Sequence, residues 1–157
     1  MNFVRGTPTL VQAFVVYYVL PDYGILLSAT LTGVIVLGVH YAAYSAEVYR
    51  SGIDAVPRGQ WEAAKALGLT PARTMARIVL PPAVRTSVPP LVNLVIAMYK
   101  ETAVLFVIGI PILLYVGQTE ANQSFRYLES YTLVGVLYLL VSYPSVLILR
   151  RFEASND

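Results

Sequence analysis

Two groups of residues in this sequence have the types and spacing to do chemistry. The first is Glu62-Ala63-Ala64 with Gly68 four positions on, flanked by Arg58, Gln60 and Lys65. Pro57 suits a first helical position, because its missing N–H costs nothing there. Trp61, Ala64 and Leu67, joined by Ala63, repeat at helical spacing. Gly68 suits the left-handed residue that closes a helix. Thr70-Pro71 reads as cap and first position of a second helix, which carries Met75 and Ile78 and which Pro81 ends. The spacing predicts two short helices about a tight glycine turn, presenting small side chains and one carboxylate. Such a basic hairpin suits anionic lipid headgroups, or docking against a partner that approaches the alanines closely.

The second group is Lys100-Glu101, set inside the apolar stretch from Thr86 to Gln118, with Thr102 beside it and Asn93 before it. Charges within membrane spans are costly and usually functional. One reading has Glu101 facing a pathway and pairing with an ammonium or a cationic side chain of a solute. The other has a Lys100–Glu101 or interhelix pair fixing the bundle. Asn93 lines the same face or hydrogen-bonds between helices. His40 reads as a hydrogen-bonded packing histidine, and Glu47 as an anchor for Arg50 or for loop backbone. Zero cysteines exclude disulfides and thiolate metal sites, and a single histidine argues against a histidine-based metal site or triad. No GxxxxGK[ST], GxSxG or HExxH is present, so no nucleotide, cofactor or metal site is expected on this chain, and a membrane enzyme is disfavoured.

The elements that must position these residues follow from composition. Of 157 residues, 57% are hydrophobic and 13% charged, with a mean hydropathy of +0.63. Soluble domains carry roughly 25% charged residues, so this chain reads as an all-α, multi-pass membrane bundle. A span needs about 20 apolar residues, which leaves room for about three to five. Tyr23 to Ala46 and Ser130 to Leu149 are long enough to cross. Thr86 to Tyr99 runs through Lys100 and Glu101 into Thr102 to Gln118. The opening stretch, Thr7 to Leu20, is broken only by Gln12 and reads as the tail of a helix whose beginning is missing. The tyrosines read as interface belt and bundle packing.

Charge orients the bundle. Six basic residues lie from Arg50 to Arg85 (Arg50, Arg58, Lys65, Arg73, Arg77, Arg85) against Asp54 and Glu62, and Arg150 and Arg151 follow the last apolar run. Gln118 to Glu129 has only Arg126 against two glutamates. The positive-inside rule puts the loop at about 50–85 and the C-terminus in the cytoplasm. Parity agrees if one span separates residue 86 from the outer connection. The net charge of +2 is too small to argue for nucleic acid.

The hairpin carries a resemblance. Glu62-Ala63-Ala64, Gly68 and Ile78-x-Leu80-Pro81 keep the spacing of the EAA loop of ABC-importer permease subunits. Arg5-Gly6-Thr7-Pro8-Thr9-Leu10-Val11-Gln12 resembles the RGTP segment of the polar amino acid permeases of the histidine, glutamine, arginine and opine type. Ala43-Tyr44-Ser45-Ala46-Glu47, with Arg50-Ser51-Gly52-Ile53, is similar to their AYxAE run. Val56-Pro57-x-Gly59-Gln60 and Leu80-Pro81-x-Ala83-x-Arg85 complete a match over nearly the whole chain.

The resemblance implies a MetI-like permease fold lacking the first span, with 1–157 as one transmembrane domain. It implies an inner-membrane subunit without catalysis, paired with a like or homologous permease chain. Glu62, Ala63, Ala64 and Gly68 would contact a separate ATPase, with Arg58, Gln60 and Lys65 at the rim. That ATPase would bind ATP and Mg, and a periplasmic or lipid-anchored solute-binding protein would dock on the outer face. The family has Lys-Asp-Thr-Ser where this chain reads Lys100-Glu101-Thr102-Ala103. Its Glu-Leu-Thr-like segment is replaced by Ile110-Pro111-Ile112-Leu113, which leaves the solute open. The alternatives are a permease for another solute class, or an inactive fragment shortened at the N-terminus.

Overall fold

The computed structural model describes residues 2–154, and the regular structure there is helical throughout. Three helices are long and apolar enough to cross a membrane: Ala29–Asp54, Pro71–Ile108 and Tyr127–Leu147. The opening stretch is not one helix. A short α1 (Asn2–Gly6) breaks at Thr7 and Pro8, α2 (Thr9–Phe14) follows, and π and 3-10 turns carry the chain to Tyr23. Pro8 stands in extended geometry before α2, where a proline is readily held.

The first long helix, α3 (Ala29–Asp54), starts later than the hydropathy suggests. Gly24 takes a left-handed φ of 80° to close the preceding turn, and Ser28 caps α3 by accepting from the Leu31 N–H at 3.3 Å. The helix then runs on past Glu47 and Arg50. Hydropathy marks the hydrocarbon layer, while helical backbone can continue into the wet interface.

Pro81 does not end the second hairpin helix. After α4 (Arg58–Ala66) and α5 (Pro71–Thr74), a π-turn at Met75–Val79 leads directly into α6 (Leu80–Glu101). The Leu80 N–H returns to the carbonyl of Met75, five residues back. The two prolines stand in the first turn of α6, where missing N–H groups are tolerated. A 3-10 segment, Thr102–Ile108, completes a 38-residue rod. Gly109, at φ 77°, ends it. The uncharged run Thr102 to Gln118 is therefore divided, its second half starting α7 (Leu113–Ser124). α7 is too short to span and packs on α8 (Tyr127–Ala154). The side chains of Arg150 and Arg151 lie outside the described residues.

Packing centres on α3 against α6, with α8 on the other side of α6. One apolar cluster joins Ala13, Val36, Leu37, Leu105 and Ile108; another, at the hairpin end, joins Val56, Val79 and Ala83. Faces bearing Val34, Val39, Val95 and Leu133 point outward, as a lipid or subunit boundary requires.

The α3–α6 approach is set by Gly52, which is buried. A Cβ there would collide with the Ser87 side chain and come within 2.9 Å of the Ala83 carbonyl oxygen, which is backbone. A Cβ at Gly33 would meet only the flexible ends of Ile110 and Leu105. Gly52→Val should therefore destabilise the purified protein by about 1–3 kcal/mol, read as a lowered thermal midpoint in detergent. Gly33→Ala should cost less, and equal losses would contradict this packing.

Candidate functional site

The hairpin that carries Glu62 is built from local turn chemistry. Pro57 stands in extended geometry one residue before α4, at the cap and not at the first helical position. Gly68 takes φ 69°, the left-handed conformation that L-residues avoid. Its N–H donates to the Lys65 carbonyl at 3.0 Å and that of Leu69 to the Ala64 carbonyl at 3.1 Å, the paired bonds of a Schellman closure. Nothing lies within 4 Å of a Cβ built on Gly68, so backbone conformation is what requires glycine there. Thr70 stands at the cap position of α5, with Pro71 first in the helix, but its side chain makes no capping bond.

The hairpin is anchored on one face. Ala64 is 2% exposed, and Trp61, half-buried, packs with Ile53 and Met75 on the Val56–Val79–Ala83 cluster. Leu67 is 78% exposed and does not belong to the stripe. At the helix end the chain turns away, leaving that side chain without a surface. Glu62, Ala63, Arg58, Gln60 and Lys65 are exposed. The two alanines thus part company, Ala64 seating the hairpin and Ala63 facing outward.

The second group assembles inside the spans. Glu101, at the end of α6, accepts from the Thr9 hydroxyl at 2.6 Å on Oε1 and from the Tyr41 hydroxyl at 2.6 Å on Oε2. These are short, charge-assisted bonds, and they join α2, α3 and α6. The carboxylate does not pair with Lys100, because adjacent residues on a helix point apart. Lys100 is exposed, as is Asn93 one heptad earlier on the same face, and Asn93 makes no hydrogen bond among the described residues. Thr102 spends its hydroxyl on the Tyr99 carbonyl at 2.6 Å. The expected grouping therefore splits, with Glu101 turned inward and Asn93 and Lys100 outward.

A polar line continues from Glu101 towards the hairpin. His40 is buried, with its Nδ1 3.2 Å from the Gln12 amide nitrogen, which also donates to the carbonyls of Val4 and Thr7. Glu47 pairs with Arg5 at 3.1 Å, not with Arg50 or a loop backbone group. Glu47 and Arg50 are on the same helix, whereas α1 brings a guanidinium across from outside it. Sequence reasoning missed Thr9, Tyr41 and Arg5 as partners. Only Thr9 stands in the opening apolar stretch; Arg5 precedes it and Tyr41 lies in the next apolar run, so no local spacing links them to Glu101 or Glu47. Among the described residues no cluster of acidic and histidine side chains could hold a metal ion.

Comparison with known proteins decides the family. Residues 1–155 match the model of the binding-protein-dependent transport system inner membrane component. The chain belongs to this family. It is accordingly a non-catalytic integral membrane component. A probable amino-acid ABC transporter permease protein of Sinorhizobium fredii is 43% identical over 155 residues, 99% of this chain and 67% of that protein. The glutamine transport system permease protein of Escherichia coli is 35% identical over 96% of this chain and 69% of its own length. The crystal structure of an amino acid ABC transporter with histidines superposes with a TM-score of 0.93 at 36% identity, over 98% of this chain and 72% of that one. The all-α permease bundle is thus the fold of this inner-membrane component.

The opposed alanines give a test of the hairpin within the permease alone. Ala64→Leu should overpack the anchored face and cost about 1–3 kcal/mol, while Ala63→Leu should leave the melting temperature of the purified chain unchanged. A loss of the same size at Ala63 would mean that its face is also packed.

Proposed function

We propose that this chain is the channel-forming subunit of a polar amino acid ABC importer, driven through its α4–α5 hairpin by a separate ATPase. The observation that carries the reading is the hairpin itself. A rigid glycine closure and a buried Ala64 hold it to α3 and α6, while Glu62 and Ala63 stand free for a partner. Ala63 is small enough to let a cleft close over it, and Arg58, Gln60 and Lys65 supply polar contacts at its rim. Movement of the hairpin passes directly to both long helices. ATP and Mg belong to the partner ATPase, and none of the steps on this chain needs a cofactor.

The positive-inside rule puts the hairpin in the cytoplasm. The rod Pro71–Ile108 then leads outward and α8 returns, so the C-terminus is cytoplasmic. A periplasmic or lipid-anchored solute-binding protein docks on the opposite face. Asn93 and Lys100 are exposed within a span, where lipid would be costly. They therefore face a second permease chain or the wet pathway between the two.

Glu101 is bonded by two neutral hydroxyls and, among the described residues, by no cation. Its carboxylate is the group offered to an ammonium or a cationic side chain of the passing solute. The amino acid assignment follows the similarity to a probable amino-acid permease protein, to a glutamine transport system permease protein and to an amino acid ABC transporter with histidines.

Uptake by the reconstituted importer tests both parts. Glu62→Lys should abolish co-purification of the ATPase and ATP-driven uptake while membrane insertion persists. Glu101→Gln should weaken uptake of cationic amino acids by about ten-fold more than neutral ones. Unchanged ATPase binding in the first variant, or equal losses for both solutes in the second, would count against the corresponding role.

A further inference from the structure

Six residues beyond Tyr41 on α3, about 9 Å nearer the hairpin, lies a cavity that the Glu101 cluster does not include, its wall mostly apolar but carrying two charged residues. It has a volume of about 300 Å³ and is lined by Arg5, Tyr44, Glu47, Ser51, Gly52 and Thr86, among others. A volume of this order holds a small ligand. Its two charged residues meet through a single contact, Arg5 Nη1 to Glu47 Oε2 at 3.1 Å. A guanidinium offers five N–H donors in a planar fork and a carboxylate two oxygens. Both groups therefore keep bonding capacity among the described residues, and both remain partly exposed, at 28% and 50%.

The guanidinium is placed independently of Glu47. Its carbon lies 5.9 Å from the centre of the Tyr44 ring, a cation–π arrangement that uses no N–H donor. The Tyr44 hydroxyl donates to the Arg5 backbone carbonyl at 3.4 Å, fixing the same segment. An anion approaching the free edge of Arg5 would find a bidentate donor already positioned. A cation approaching Glu47 would find an unengaged oxygen a few ångströms away.

The geometry points to this cavity as a binding site for the zwitterionic head of a free α-amino acid. Its carboxylate takes the open edge of Arg5 and its ammonium takes Glu47. The two protein charges and the two ligand charges then alternate, so that neither protein group loses its counter-ion. The solute side chain extends along the wall formed by Ser51 and Thr86. This deepens the proposed function, because it gives the pathway a second station on the hairpin side of Glu101. It recognises what all α-amino acids share, while Glu101 discriminates between side chains.

The test is equilibrium dialysis of radiolabelled L-glutamine, at up to millimolar concentration, against the complete detergent-purified importer without its solute-binding protein. Wild type should bind. Glu47→Gln, which keeps a hydrogen bond to Arg5, and Arg5→Lys, which keeps the charge but loses the fork, should each weaken binding about ten-fold. N-acetyl-L-glutamine should compete about ten-fold less well than glutamine. Glu101→Gln should retain the component that the other two variants lose. The double variant Arg5→Gln with Glu47→Gln keeps a hydrogen bond across the pair without its charges, and full binding by it would show the pair to be only structural. Absence of glutamine binding in wild type, or binding unchanged in both single variants, also overturns the site. If the pocket variants lose binding while wild type shows no ATP-driven amino acid uptake, the site stands and the transport reading falls.

Discussion

The pairing of α3 with α6 is the interaction on which the rest of the molecule depends. At the hairpin end it is brought close by Gly52, whose missing side chain admits Ser87 and the Ala83 carbonyl. At the other end it is joined by the Tyr41–Glu101 hydrogen bond. The hairpin sits on the same two helices, through Val56 at the end of one and Val79 and Ala83 at the start of the other. Contacts between these elements thus join the α4–α5 hairpin and the intramembrane carboxylate to the same two helices.

The membrane shapes the polar chemistry in the same way. Hydrocarbon offers no hydrogen-bond partner, so each intramembrane polar group must find one within the protein or face water. Glu101, His40 and Gln12 find theirs across helix boundaries, and in doing so tie the broken opening helices to α3 and α6. Breaks at Gly6-Thr7-Pro8 and at the π-turn Met75–Val79 are where the backbone leaves a regular ladder. The first lies beside Gln12, which donates to the carbonyls of Val4 and Thr7, and the second is packed against the apolar cluster of Val56 and Ala83; both are backed by protein, as irregular backbone requires.

The sequence makes some of this visible and hides the rest, for physical reasons. Composition and long apolar runs reveal spans, because a bilayer demands length and hydropathy from each helix alone. The glycine turn at Gly68 is legible because a left-handed residue is a local requirement. The fate of Pro81 is not, since a π-turn that admits a proline is settled by the packing of Val79 and Ala83 and not by the proline itself. The partners of Glu101 are equally hidden: Thr9 lies 92 residues away and Tyr41 lies 60. The sequence marks Glu101 as a charge inside an apolar run, but only the tertiary fold shows which hydroxyls reach it. The same holds for Arg5 and Glu47, which no periodicity connects.

In the proposed importer one face of α4 holds the hairpin to its own chain while the neighbouring face, about 100° round the helix, meets an ATPase. The absence of cysteine in this sequence allows that to be measured directly. Single cysteines at Ala63 and Ala64, introduced one at a time, can be cross-linked in membranes that contain the assembled importer. Ala63→Cys should cross-link to the ATPase chain in a nucleotide-dependent manner, and Ala64→Cys should not. Cross-linking of Ala63→Cys only to lipid or to the same permease chain, with none to the ATPase in any nucleotide state, would contradict an ATPase contact on that face.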